Sequence, residues 1–83
     1  MQMQRWLLEF PATMRKAAMS RDHSSAIASM DALQQYYHAK PVDERQQIYL
    51  SLAHTILEDL DKEKFQQAED FLLHVGLLQK QRV

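Results

Sequence analysis

The sequence predicts an all-α domain of three to four antiparallel helices, either an up-and-down bundle or stacked helical hairpins. Three observations carry that expectation. Gly occurs once and Pro twice in 83 residues, too few turn formers for a hairpin-rich β fold. The strong helix formers Ala, Leu, Gln, Met, Glu and Lys dominate. Apolar residues recur at spacings of three and four, the signature of one helical face. The length fits a single domain over residues 1–83.

The first element is expected as an N-terminal amphipathic segment over residues 1–20. Met3, Trp6, Leu7 and Phe10 fall on one helical face. A break is expected near Pro11, because an interior proline removes a backbone hydrogen bond. Either the helix kinks there or a fresh helix begins and continues through Met14 and Ala18. The second helix is predicted from about Ser24 to His38, capped by Ser20, Asp22 or Ser24. Ile27, Met30, Leu33 or Gln34, and Tyr37 form its apolar stripe. Pro41 ends it, since the residue before a proline avoids the α region.

The third helix begins near Pro41 to Glu44, where Asp43 and Glu44 face the positive end of the helix dipole. Ile48, Tyr49, Leu52, Ala53, Ile56, Leu57 and Leu60 give it the widest apolar face. That width places it at the centre of the expected fold. The fourth helix runs from about Lys62 to Leu78, with Asp61 as N-cap. Phe65, Ala68, Phe71, Leu72, Val75 and Leu78 line one face, and Gly76 suits its end. Residues 79–83 form a polar tail that is expected to fray.

Bulk properties exclude several classes. The chain has no cysteine, so it forms no disulfide or thiolate metal site. That composition suits a reducing compartment, and a cytoplasmic protein is expected. No stretch reaches the ~18 apolar residues of a membrane span, and Glu9 and Pro11 interrupt the start too early for a signal peptide. The net charge of −1 lacks the basic excess that general nucleic-acid binding requires.

Residues 50–78 resemble a tetratricopeptide-type helical hairpin. Phe65, Ala68 and Leu72 match the aromatic, small and large positions of that repeat's second helix. Leu52 and Ile56 stand where its first helix has Trp and Gly. Ala28-Ser-Met-Asp-Ala32 followed by Pro41 is similar to the end of a preceding repeat. The resemblance implies protein–protein recognition, because such repeats stack into peptide-binding grooves.

His54 and Glu58, and Asp70 and His74, are each four residues apart and could pair two metal ligands on a helix face. Such spacing is also that of common solvated pairs, and no denser run of ligands accompanies them, so no metal and no cofactor is expected. Ser20, Ser24 and Ser25 read as capping residues, and no glycine-rich phosphate loop or nucleophile elbow occurs. An enzyme is therefore not expected.

The acids Glu58, Asp59 and Glu63 suit a docking surface for a basic partner, or a solvated helix junction. Arg5, Arg15, Lys16 and Arg21 form the basic counterpart, diluted by Glu9 and Asp22. All five methionines, Met1, Met3, Met14, Met19 and Met30, lie in the first thirty residues. Methionine is enriched at adaptable binding surfaces, although it also fills cores. The expected function is thus a non-enzymatic protein–protein interaction module: an adaptor, small chaperone or assembly subunit. It would bury an apolar stripe against a partner or itself, as a homo-oligomer or hetero-complex. The partner-binding candidates are Met3, Trp6, Leu7, Phe10, Glu58, Asp59 and Glu63. The alternative is a small helical transcriptional or nucleic-acid-associated regulator. It is disfavoured because the best recognition helix, Asp43 to Leu60, carries Arg45 as its single basic residue.

Overall fold

A computed structural model describes residues 4–79 of the chain. The expectations that fall on Met3 and on residues 80–83 lie outside the described residues. Four helices follow one another: α1 Arg5–Ser20, α2 His23–Tyr36, α3 Val42–Leu57 and α4 Lys62–Val75. Among the described residues there is no strand. The all-α fold expected from the helix-former composition is the one observed.

α1 runs without interruption through Pro11. No fresh helix begins there: proline forgoes its own N–H bond, and buried Phe10 and Met14 lie on either side of it. Leu7, Phe10, Met14, Ala17 and Ala18 are buried along the helix, on one face at spacings of three and four. Its C-terminus closes with Arg21 in the left-handed region at φ 54°. The Arg21 and Asp22 amides donate to the Ala18 and Ala17 carbonyls at 3.3 and 2.9 Å, a Schellman closure. Gly76 ends α4 in the same way at φ 90°. There Leu77 donates to the Leu72 carbonyl at 3.0 Å and is itself buried.

Of the candidate caps for α2, Asp22 is the one used. Its carboxylate accepts from the Ser25 amide and from Ser25 Oγ. Asp61 caps α4 as expected, accepting from the Lys64 amide at 2.8 Å. In α2 the buried residues are Ala26, Met30 and Leu33, whereas Ile27, expected on the stripe, is 52% exposed.

The centre of the fold is α1, not α3 as the width of its apolar stripe predicts. α1 packs against α2, α3 and α4, while the backbones of α2 and α3 stay apart. Only the second half of α3 enters the core, through Ala53, Ile56 and Leu57. The helix also stops at Leu57, short of Leu60. Glu58 turns extended at ψ 141°, and Asp59 adopts φ 68°. Leu60 still packs against the core from the connecting turn. The largest fully buried side chains are Phe10, Met14, Leu33, Ile56 and Leu72. They come from all four helices, and each contributes about 1.5–3 kcal/mol by burial.

Candidate functional site

The N-terminal stripe is built into the core. Leu7 is 6% and Phe10 1% exposed. Trp6 is half-buried, edge-on to Phe10 at 6.4 Å and to Tyr36 at 5.9 Å between ring centroids. These contacts pin the start of α1 to the end of α2. The expectation of an incompletely buried contact stripe is corrected for Leu7 and Phe10, which no partner reaches without opening the fold.

The acids Glu58, Asp59 and Glu63 are all exposed at the α3–α4 connection. The basic set does not form a matching patch. Arg15 instead reaches across to the end of α3. Its guanidinium donates to the carbonyls of Ile56, Thr55 and Glu58 at 2.8, 2.9 and 3.0 Å. A cation is favoured at that negative helix end, and the fork satisfies carbonyls the helix leaves open. Arg21 gives only its backbone amide to the α1 closure described above, and its side chain is exposed.

The histidines do not pair as their sequence spacing suggests. The close pair is His23 at the start of α2 and His74 on α4, 5.0 Å between ring centroids, with His23 also 4.9 Å from Phe71. Among the described residues no three His, Asp or Glu side chains converge in a way that could hold a metal ion. Only the α2–α4 packing creates this contact, so no local spacing reveals it.

The cavity of note follows from the divergence of α2 and α3. Between them lies an open trough of about 580 Å³. Gln34, Gln35 and His38 line one wall, and Val42, Arg45, Gln46 and Tyr49 the other, with Gly76 and Gln79 at its end. A smaller hollow of about 230 Å³ continues from it past Gln46 and Tyr49 to Leu50, Leu77 and Leu78. Val42 is 56% and Leu50 55% exposed, an apolar rim left on the first half of α3. Gln46 crosses to the chain end by donating to Gln79 Oε1 at 3.3 Å. His38 donates from Nδ1 to the Gln35 carbonyl at 2.7 Å, because a carbonyl only accepts.

Two polar atoms of the trough are buried without a partner: Arg45 Nε and Tyr49 Oη. Burial also pushes the Tyr37 hydroxyl above its ordinary value of 10.0, reinforced by Tyr36 and Tyr49. None of these trough residues belongs to the contact set expected from the sequence. The signal that could have found them is the width of the α3 stripe. A stripe wider than one packing face needs leaves Ile48, Tyr49 and Leu52 only half-buried.

No helix among the described residues is long and apolar enough to cross a membrane. No protein-family model, curated protein or solved structure matches the chain.

Proposed function

We propose that this chain is a non-enzymatic protein–protein interaction module, an adaptor or assembly subunit of the cytoplasm, whose contact surface is the α2–α3 trough. One observation carries the reading: an open trough whose apolar rim, Val42 and Leu50, is exposed while donors within it lack acceptors. Exposed apolar patches with polar groups inside them are typical of interfaces. The resemblance of residues 50–78 to a tetratricopeptide-type hairpin supports the same class. Glu58, Asp59 and Glu63 carry less, since exposure and charge alone also describe a solvated turn.

The test is affinity capture from lysate of the producing cells with the parent and with Val42→Asp/Leu50→Glu. Both sites are exposed, so helicity and melting should stay unchanged. A partner held by the parent and lost by the double variant supports the reading. A partner held equally by both, or none held by the parent, overturns it.

A further inference from the structure

Arg45 and Tyr49 stand one helical turn apart on α3, so both project to the same side, into the trough. Each contributes a buried donor that no group in the described chain accepts. A fold this small has reason to satisfy or remove such donors, because an unmet buried donor is costly. Among the described residues no hydrogen bond or ion pair ties the Arg45 side chain down. Its acidic neighbour Glu44 is engaged with Lys40 at 3.8 Å. Asp31, the one acid lining the trough, lies beyond ion-pair distance of Arg45.

The geometry points to a carboxylate as the group this site receives: the side chain of an Asp or Glu on a partner polypeptide. The planar guanidinium fork offers two N–H groups in parallel, the spacing of two carboxylate oxygens. Tyr49 Oη adds a third donor from the same wall. Among the described residues, Arg45 is the single Lys or Arg of the lining. His38, with Nδ1–H already donated, presents an acceptor at Nε2 while neutral. One cation beside one resident acid lacks the run of basic groups that a nucleic-acid backbone or an anionic membrane surface engages. That favours a single acidic side chain over a polyanion.

What the trough adjoins points to a polypeptide as the carrier. Beyond Tyr49 it opens into the hollow floored by Leu77 and rimmed by Leu50 and Leu78, which seats an apolar side chain next to the acid. The recognised element is thus an acidic residue followed at short spacing by an apolar one. This inference rests on the interaction-module reading above.

The test displays a library of random 16-residue peptides against the full chain, with Gln46→Trp as a trough-blocking control. The enriched peptides should share one Asp or Glu beside an apolar residue and should lose binding to Gln46→Trp. Affinity should fall at least tenfold in Arg45→Gln. Changing the peptide's own acid to its amide should cost the same, with no further loss when both changes are combined. Tyr49→Phe should weaken binding a few-fold, and Arg45→Lys should recover little, because an amine has no fork. Since neither side chain has an internal partner, these variants should melt no lower than the parent; the acid-to-amide peptide probes the same pair on unaltered protein. Peptides that need the trough yet share no acid, or ignore Arg45→Gln, overturn the carboxylate assignment and leave the interaction reading standing. Failure to enrich any trough-dependent peptide overturns both. Self-association in sedimentation that dissolves in Arg45→Gln makes a second copy the occupant and overturns the assignment to a partner.

Discussion

Arg15 is the sharpest place to perturb the fold, because one side chain closes another helix forty residues away. It donates three hydrogen bonds to carbonyls at the end of α3, of 2.8, 2.9 and 3.0 Å. The bond to Ile56 is partly buried and the other two are exposed. A shielded bond to a charged group contributes about 1.5–3 kcal/mol. The two exposed bonds add only a few tenths each, and the cation at the helix terminus about 0.3–1 kcal/mol. The substitution Arg15→Met keeps the aliphatic stem in place and should therefore cost about 2–4.5 kcal/mol. A domain of this length has about 4–12 kcal/mol in total. At about 4–8 °C per kcal/mol for its size, the melting temperature should drop by about 8–36 °C. Arg15→Lys, which restores charge but not the fork, should recover part of the loss. Thermal melts followed by circular dichroism read both. If Arg15→Met stays within about 0.5 kcal/mol of the parent, the carbonyls of α3 are served equally by water and the argument fails.

Other perturbations separate core from surface. Phe10→Ala should cost about 3–5 kcal/mol, as for a fully buried aromatic residue, while half-buried Trp6→Ala should cost clearly less; equal losses by denaturant titration would contradict the burial difference. Arg21→Gly should stabilise by about 0.5–1 kcal/mol, since glycine adopts the left-handed region without the Cβ penalty, and a lower melting temperature would count against that closure. Hydrogen bonds from Ser25 hold the Asp22 carboxyl below its ordinary value of 3.8. Its folded value is depressed, so its cap is fully stabilising above pH 3.8 and weakens as pH falls through the folded value. Asp22→Asn keeps an uncharged cap and should show a shallower loss of melting temperature in acid than the parent; parallel curves would rule the mechanism out.

The helices were legible because their signals are local. Asp61 as a cap, Gly76 as a stop and the stripe of α4 depend on neighbours within one or two turns. What was illegible depends on which helix meets which. Pro11 reads as a break by its chemistry, yet Leu7 and Phe10 before it and Met14 after it share one core. The wide stripe of α3 reads as centrality, but part of it faces a trough because α2 diverges. Arg15 reads as surface charge, and only the α1–α3 contact turns it into a cap. The trough donors were missed for the same reason: Arg45 and Tyr49 are unremarkable as letters, and their isolation exists only in three dimensions.

That α1 packs against every other helix has a consequence for how the chain is made. α1 is synthesised first, but its last partner, α4, ends at Val75, fifty-five residues after Ser20 (75 − 20). At about 5–20 residues per second that interval is about 3–11 s. Helix formation takes about a microsecond, so for nearly all of that time α1 waits as a formed or flickering helix. Leu7, Phe10 and Met14 lack the full cover of the finished core meanwhile. Contacts such as Arg15 to Ile56, forty-one residues apart, close only after a large loop has been drawn in. The interval in which this small protein is most exposed to aggregation, and most in need of a holding chaperone, is therefore set by the position of α1 in the chain rather than by its final stability.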